Sequence, residues 1–375
     1  MSNNIPLVSK TLLSEVTASG SLKLTLADVP VRKPLAGEIL VQLSASPINP
    51  SDIGLMLAAA DLETLKKIKS DSVVGVEAKQ RVAAMPGLKG RWDIPLLIGY
   101  EGSGTIVAAS KGDGHLVGKK VAVSGKGTYA QYITLPTSSC IFLNDSHTMI
   151  EAASAFINPL TALGFVETMK SEGHKAMILT AAGSNLAQMM NRLAEAGGFD
   201  IVNIVRRSDQ AAALRQSGLK YVCDSSADNY REVLTDYIAV TGATLAFDAL
   251  GGGDTVDVLL SCMESAINRQ STEYNRYGSS VHKQVYIYGG LVGAPTTLGR
   301  NYGFAWGVST WLLFNFLNTL SKKEISALNI RVKDNLTTIF ASVYNHEISL
   351  EDLLNPEIIR NLRKNASGDK YIIVQ

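Results

Sequence analysis

The stretch KAMILTAAGSNLAQMMNRLAEAGGFDIVNIVRRS (175–208) decides the fold. It opens with the apolar run 176–179, which lacks polar alternation and is typical of a parallel strand buried on both faces. Apolar residues then recur at helical spacing from Leu186 to Leu193, and a second, mainly apolar run follows at 201–205. The stretch therefore predicts a strand, an amphipathic helix and a second strand, which form one βαβ unit of a parallel sheet.

The turn between the first strand and the helix is built from small residues. Ala181–Ser184 would let a pyrophosphate approach the backbone N–H groups at the positive end of the helix. In the G-x-G-x-x-G register that fits this strand and helix, the glycine positions hold Ala182, Ser184 and Ala187. An ordinary βαβ turn without a ligand is therefore the open alternative. The candidate dinucleotide-binding residues of the turn are Ala182, Gly183, Ser184, Asn185 and Leu186.

Two arginines, Arg206 and Arg207, end the second strand of this unit. An NAD site usually has an acidic residue here, about 20 residues after the phosphate turn, which accepts a hydrogen bond from the ribose 2′-hydroxyl. Guanidinium groups would instead pair with a 2′-phosphate, and they stay charged. The pair favours NADP(H) over NAD(H), with a solvated loop edge as the alternative.

Composition limits the classes of function that fit the chain. Its 375 residues exceed the size that one core usually supports, so two domains are expected. The 35 Lys and Arg residues offset 34 Asp and Glu residues without a basic block, so nucleic acid is not an expected partner. Cys140, Cys223 and Cys262 lack the spacing of a disulfide framework or a structural zinc site.

The two segments that could address the chain to a membrane or an organelle do not have the required pattern. Residues 1–16 contain neither an apolar signal core nor an arginine-rich transit pattern, so a cytoplasmic location is expected. The stretch 302–320 includes Asn315 and Asn318 and is too short and polar for a membrane span. We expect a buried strand and a helix there, and no membrane partner.

The hydrophobic pattern changes near residue 156. Before it, short apolar segments between Gly and Pro turns predict a β-rich region, which a polar helix at 61–72 interrupts. After it, strands and helices alternate, and a final strand at 371–374 returns to the first region. The predicted strands are 38–43, 104–109, 120–123, 129–135, 176–180, 200–206, 220–223, 244–248, 284–289 and 304–310.

Several further segments occur in an order that resembles one superfamily. They are SPINPSD (46–52), IGYEGSGTIV (98–107), NPLTALGFV (158–166), FDALGGG (247–253) and VYIYGGL (285–291). Together with 175–208 they resemble the medium-chain dehydrogenase/reductase superfamily, to which the zinc-containing alcohol dehydrogenases belong. The similarity covers nearly the whole chain and is greatest to the zinc-independent branch of quinone oxidoreductases and 2-enoyl thioester reductases.

The resemblance implies an α/β fold of two domains. A Rossmann domain with a doubly wound parallel sheet, residues 156–314, would bind NADP(H). A GroES-like β-rich catalytic domain would comprise residues 1–155, completed by 315–375, with the cofactor in the cleft between the domains. The resemblance also implies a homodimer in which the strand at 304–310 extends the sheet across a two-fold axis.

The resemblance also suggests individual site residues. It implies Asn49 beside the nicotinamide and Thr161 near the ribose or carboxamide, although Asn49 could simply form a turn. Tyr100 stands where zinc-dependent relatives have a histidine, and it is a candidate proton donor; a buried Tyr bonded to Glu101 is the alternative. The other implied cofactor-binding residues are Ala249, Leu250, Gly289, Gly290 and Leu291.

The three regions that hold zinc in the alcohol dehydrogenase relatives lack thiolate and imidazole ligands here. They contain 47–49, Tyr100 and 158–159, so we expect no metal. Without a Lewis acid, reduction of a quinone or an activated C=C bond is easier than oxidation of an alcohol, because the substrate carbonyl takes up the charge.

The sequence therefore predicts an NADPH-dependent oxidoreductase that transfers hydride, without metal, to a small quinone or α,β-unsaturated carbonyl compound. The alternative is an NADPH-binding redox sensor or structural protein with little turnover. An alcohol dehydrogenase fits less well. A 2-enoyl thioester reductase also fits less well, because segment 53–65 lacks the Tyr that such enzymes have after the N-P-x-D element.

The polar segment 267–283 is long for a connection inside a compact domain. It contains Arg269, Arg276 and Lys283, which could hold a phosphate or an anionic substrate. A solvated surface loop is the alternative.

Overall fold

The computed structural model describes residues 5–70, 73–364 and 370–375. The chain divides into two compact units. Unit 1 contains the chain up to Ile157 and again from Asn329 onward, and unit 2 contains Asn158–Leu328. In the described part of the chain, no helix is both long and apolar enough to span a membrane.

The predicted strands are present with bounds shifted by a few residues, but two expectations are wrong. The polar helix at 61–72 is treated below. The strand expected to be buried at 304–310 spans 306–310 and is half-buried to exposed, because it is the last strand in the order of its sheet. The strands are β1 (Val8–Val16), β2 (Ser21–Pro30), β3 (Glu38–Pro47), β4 (Ala60–Ser70), β5 (Val73–Gln80), β6 (Leu96–Leu97), β7 (Glu101–Ala109), β8 (Lys120–Ser124), β9 (Tyr132–Pro136), β10 (Cys140–Phe142), β11 (Ala176–Leu179), β12 (Asp200–Val205), β13 (Val222–Asp224), β14 (Leu245–Asp248), β15 (Lys283–Ile287), β16 (Trp306–Thr310), β17 (His346–Ile348) and β18 (Tyr371–Val374). The α-helices are α1 (Pro50–Leu57), α2 (Met85–Leu88), α3 (Met149–Ala152), α4 (Ile157–Ser171), α5 (Asn185–Gly197), α6 (Ser208–Gln216), α7 (Tyr230–Thr241), α8 (Thr255–Gln270), α9 (Leu313–Asn318), α10 (Lys322–Asp334) and α11 (Pro356–Lys364).

Unit 1 is built mainly from antiparallel strands in two sheets. The first has the order β4-β5-β2-β1-β6, and the second has the order β10-β8-β7-β3-β18-β17, with β9 also paired to β3. Leu12 and Tyr129 are fully buried in the core of this unit. The end of the chain belongs here because β18 pairs with β3, which places Ile372 opposite Pro47.

Unit 2 contains one parallel sheet with the order β13-β12-β11-β14-β15-β16. The order reverses beside β11: β12 and β13 lie on one side, and β14 to β16 lie on the other. In open α/β sheets, ligands bind outside the carboxyl ends of the strands at such a switch point. Ile178, Val202 and Phe247 are fully buried in these strands, as their lack of polar alternation predicts.

The polar helix predicted at 61–72 is wrong. Residues 60–70 form β4, which pairs antiparallel with β5 and has a register shift between Asp61 and Lys66. Leu65 is buried in the core of unit 1, and Lys66 lies opposite Glu77. Strand pairing and burial thus override the helix propensity of the Leu, Lys and Glu residues in this segment. Residues 71–72 lie outside the described part of the chain.

The boundaries between the two units fall at 157/158 and 328/329, whereas the sequence analysis expects 155/156 from the change of pattern and 314/315 from the resemblance. The second difference has a physical cause. The Trp311 ring stacks on the Phe316 ring of α9, with centroids 5.6 Å apart, and the Trp311 indole N–H donates to Thr168 Oγ1 at 3.1 Å. These contacts keep α9 with unit 2. That the two ranges serve as a catalytic and a cofactor-binding domain remains a prediction.

Candidate functional site

The small-residue turn after β11 has a defined shape. Ala181 adopts a left-handed backbone conformation with φ +50°, which is uncommon for a residue other than glycine. The Ala182 N–H donates to the Ile204 carbonyl at 3.0 Å. Ser184 is the N-cap of α5, and its hydroxyl accepts from the Ala187 N–H at 3.2 Å, which leaves the hydroxyl hydrogen as a donor. The turn therefore lies at the helix N-terminus and at the carboxyl edge of the sheet.

Three of the residues predicted to bind the cofactor are buried in helices. Asn185 and Leu186 lie in the first turn of α5 and are buried, as is Thr161 near the start of α4. Gly183 is open on the side where a side chain would project: a Cβ there would meet only Gln210, at 3.4 Å. The backbone of the turn is therefore accessible at Gly183.

A buried carboxylate that the sequence interpretation missed joins two loops at the switch point. Thr180 Oγ1 donates to Asp248 Oδ1 at 2.7 Å and accepts from the Ala249 N–H at 2.8 Å. The Leu250 N–H donates to Asp248 Oδ1 and the Gly251 N–H donates to Asp248 Oδ2, both at 3.0 Å. A buried apolar strand that ends in Asp and continues into a Gly-rich loop was the available signal, but the partner Thr180 is 68 residues away.

The loops after β14 and β15 touch each other. A Cβ at Gly289 would lie 2.6 Å from the Ala249 carbonyl oxygen, so only glycine fits there. The Leu291 N–H donates to Ala249 O at 3.2 Å. A Cβ at Gly290, in contrast, would meet nothing within 4 Å. The structure thus brings together Ala249, Leu250, Gly289 and Leu291 and leaves Gly290 facing open space.

The two arginines after β12 differ in their surroundings. Arg207 forms an exposed ion pair with Asp209, with Nε 3.0 Å from Oδ1 and Nη2 3.2 Å from Oδ2. Arg206 is exposed and has no salt bridge to any described residue. The guanidinium of Arg206 is therefore the one available to an external anion, whereas Arg207 would first have to leave a carboxylate.

In unit 1, Asn49 belongs to a buried polar network. Its Nδ2 donates to Glu101 Oε1 at 2.8 Å, and its backbone N–H donates to Asp52 Oδ2 at 3.1 Å. Glu101 Oε2 accepts from the N–H groups of Phe156 (3.0 Å) and Ile157 (2.9 Å). Asn49 therefore does more than form a turn: it connects the start of α1 to the start of β7. Tyr100, beside Glu101 in the chain, is half-buried.

The two carboxyl groups of this network have perturbed acidities. Burial raises the pKa of Glu101 to about 7, although hydrogen bonds from Ile157, Asn49 and Phe156 lower it. Burial likewise raises the pKa of Asp52 to about 6 against the hydrogen bonds from Asn49 and Tyr129. A water-excluded cluster whose protonation changes near neutral pH can respond to pH close to the candidate catalytic residues.

Two of the three basic residues proposed for segment 267–283 are already paired. Arg269 forms an ion pair with Asp236 at 2.6 Å, and the Lys283 ammonium is fully buried, 2.6 Å from Glu264 Oε2. The hypothesis that they hold an anion is therefore wrong for Lys283, because its charge is buried and neutralised. Of the three residues, Arg276 is the one that could still bind a phosphate or an anionic substrate.

No three His, Cys, Asp or Glu side chains of the described residues lie together in a way that could hold a metal ion. Cys140, Cys223 and Cys262 are free and buried. Burial raises the pKa of the Cys140 and Cys223 thiols to about 12, so these groups are protonated at neutral pH.

Comparison with known proteins shows which families the chain resembles. Residues 35–145 match the alcohol dehydrogenase GroES-like domain. An NAD-dependent alcohol dehydrogenase of Sulfurisphaera tokodaii is 23% identical over 55% of this chain and 62% of its own length. A mitochondrial enoyl-[acyl-carrier-protein] reductase of Arabidopsis thaliana is 25% identical over 77% of this chain and 68% of its own length. The matches thus span only about two thirds of these curated relatives.

Among solved structures, the Escherichia coli quinone oxidoreductase complexed with NADPH superposes with a TM-score of 0.69 at 16% identity. The match covers 98% of this chain and 100% of that one. Together with the GroES-like match, it confirms the predicted α/β fold class, a Rossmann domain plus a GroES-like β-rich domain. Residues 35–145 thus match the GroES-like domain of alcohol dehydrogenases, and the chain resembles the medium-chain dehydrogenase/reductase superfamily, in particular its zinc-independent, quinone oxidoreductase-like branch.

Proposed function

We propose that this chain is an NADPH-dependent oxidoreductase that reduces a small quinone or α,β-unsaturated carbonyl compound by hydride transfer without a metal. The observation that carries the proposal is the arrangement at the carboxyl edge of the sheet in unit 2. There, the turn after β11 ends at the N-terminus of α5, and the unpaired Arg206 follows β12. A helix N-terminus and a guanidinium are the two features that a phosphorylated dinucleotide requires.

The residues present fit NADP(H). Ser184 has a hydroxyl hydrogen to donate, and Gly183 leaves the backbone of the turn open. The Thr180–Asp248 pair holds the loop that contains Ala249 and Leu250. When bound, the reduced nicotinamide would supply the hydride. The E. coli relative is named as an NADPH complex, which agrees with this assignment.

Asn49 and Tyr100 are the proposed catalytic residues of unit 1. Glu101 fixes the orientation of the Asn49 amide, so the Asn49 side chain is preorganised. Tyr100 would donate the proton that completes the reduction. Zinc is not required, because Pro47, Tyr100 and Asn158 stand in the three regions where alcohol dehydrogenase relatives have zinc ligands.

We further propose a cytoplasmic homodimer. β16 is the last strand in the order of the described sheet of unit 2, and a strand in that position can pair with a second copy across a two-fold axis. Sedimentation velocity should give the mass of two chains. A monomer at micromolar concentration would contradict this part of the proposal.

Turnover tests the proposed reaction. Wild-type protein and the Tyr100→Phe variant are mixed with NADPH and a panel of quinones, enones and 2-enoyl thioesters, and NADPH absorbance is followed. We expect oxidation with quinones or enones, and a slower rate in Tyr100→Phe at unchanged NADPH affinity. Tight NADPH binding without oxidation by any acceptor would instead support the redox sensor or structural protein.

A further inference from the structure

Unit 2 contains a cleft of about 540 Å³ at the amino ends of β15 and β16. It lies at the opposite edge of the sheet from the candidate dinucleotide turn. β15 spans five residues, so the two edges are separated by roughly 17 Å at 3.3 Å per residue. The lining residues used below are Glu264, Arg276, Tyr277, Arg300, Phe304 and Trp306.

The cleft has a positive charge that its own residues do not neutralise. Arg276 and Arg300 are exposed, and neither forms a salt bridge within the described ranges. The acidic lining residue, Glu264, is already satisfied: Lys283 Nζ lies 2.6 Å from Oε2, and the Ser279 N–H donates to Oε1 at 2.8 Å. Two guanidinium groups therefore remain to attract an anion.

Two aromatic rings are exposed beside these arginines. In a single chain, Tyr277 is 57% exposed and Phe304, two residues before β16, is 81% exposed. Their rings meet edge to face with centroids 6.0 Å apart, and the Arg276 guanidinium carbon lies 5.0 Å from the Tyr277 centroid. Large apolar side chains that are exposed together mark binding surfaces more often than ordinary surface. Their flat faces suit a planar ligand.

The loops that carry these groups are held in place. A Cβ at Gly278, whose φ is +81°, would lie 2.6 Å from the Gly303 Cα, so the two backbones touch. The Trp306 indole N–H donates to Gly303 O at 3.1 Å, and the buried Tyr302 hydroxyl donates to Gly299 O at 2.8 Å. These contacts fix the backbone of the loops, so the loops themselves lose little conformational entropy when a ligand binds.

We propose that this cleft binds a planar aromatic anion, such as an aromatic carboxylate or sulfonate, at a site separate from the proposed NADPH site. Arg276 and Arg300 pair with the acidic group, because a guanidinium matches the geometry of two acidic oxygens. Tyr277 and Phe304 contact the ring of the ligand. The volume of the cleft lies in the range of small-molecule sites.

The test uses 1-naphthoate as the probe and isothermal titration calorimetry as the readout, with full-length protein. Arg276→Gln/Arg300→Gln removes both guanidinium groups. Lys175→Gln/Lys220→Gln removes the same charge from exposed positions elsewhere in unit 2 and is the matched control. Phe304→Ala removes one ring without a change of charge. Circular dichroism melts confirm that each variant is folded.

We expect one naphthoate per chain, with affinity reduced at least tenfold in Arg276→Gln/Arg300→Gln, reduced in Phe304→Ala and unchanged in Lys175→Gln/Lys220→Gln. Naphthalene-1-methanol, which lacks the charge, should bind much more weakly than naphthoate. Saturating NADPH should not displace the probe. Absence of binding, equal affinity in the arginine variant and the control, or displacement by NADPH would each overturn the proposal.

Discussion

The side-chain amide of Asn49 donates a 2.8 Å hydrogen bond to the carboxylate of Glu101, 52 residues along the chain. Both residues are buried, and the other carboxylate oxygen accepts two backbone N–H groups. Because Glu101 accepts in all three contacts, it orients the Asn49 amide with Nδ2 directed at the carboxylate. The proposed catalytic Asn49 is therefore positioned by a carboxyl group whose own protonation depends on pH.

Stability should show this dependence. The pKa of Glu101 is raised from 4.5 to about 7, so its contribution to stability is fully present below pH 4.5 and is lost as the pH rises through 7. Glu101→Gln should remove up to about 3 kcal/mol of pH dependence between those limits. Urea unfolding of both proteins across this range measures the difference. The exposed Glu347→Gln is the control, and equal pH slopes in wild type and Glu101→Gln would refute the assignment.

The hydroxyl of Thr180 should be essential to the conformation of the loop after β14, because it bonds both Asp248 and the Ala249 N–H. Thr180→Val keeps the shape but leaves Asp248 and the Ala249 N–H without this partner, which should cost about 1–3 kcal/mol of unfolding free energy. NADPH affinity should fall as well, because the Ala249 loop loses its anchor. Thr180→Ser retains the hydroxyl and should behave like the wild type. A loss in Thr180→Ser with none in Thr180→Val would show that the methyl packing matters and the hydrogen bonds do not.

Substitutions at the adjacent residues Gly289 and Gly290 should have different effects, one on stability and the other on cofactor binding. Gly289→Ala would place a Cβ 2.6 Å from Ala249 O, and we expect a loss of about 1–3 kcal/mol in stability. Gly290→Ala projects into open space and should leave the melting temperature unchanged. If the nicotinamide lies against Gly290, the methyl group added by Gly290→Ala should weaken NADPH binding. Unchanged affinity in Gly290→Ala would place the cofactor elsewhere.

The buried Lys283–Glu264 pair gives a prediction for unit 2 alone. Lys283→Met leaves the Glu264 carboxylate without its cation, which should cost about 3–5 kcal/mol. The double variant Glu264→Gln/Lys283→Met removes both charges and should recover much of that loss. Chemical unfolding of the single and double variants measures the coupling. Additive losses would mean that the pair does not interact in the folded protein.

The apolar periodicity of the sequence predicted those strands and helices whose burial repeats along their own length. β11, α5 and β12 follow from the apolar periodicity, because each is buried along its own length. β4 was missed, because only pairing with β5 makes it a strand. In the candidate site, the sequence predicted the turn and Arg206, whereas the partnerships of Asp248 with Thr180 and of Glu101 with Asn49 arise across more than fifty residues and leave no spacing signal.

The most direct test of the central claim is the affinity of wild type, Arg206→Gln and Arg207→Gln for NADPH and NADH, measured by nicotinamide fluorescence. The unpaired Arg206 should hold the 2′-phosphate, whereas Arg207 is engaged by Asp209. We predict that wild type prefers NADPH and that Arg206→Gln loses about 10- to 100-fold in NADPH affinity with little change for NADH. Arg207→Gln should change less. Equal affinity of the wild type for NADPH and NADH would contradict the account.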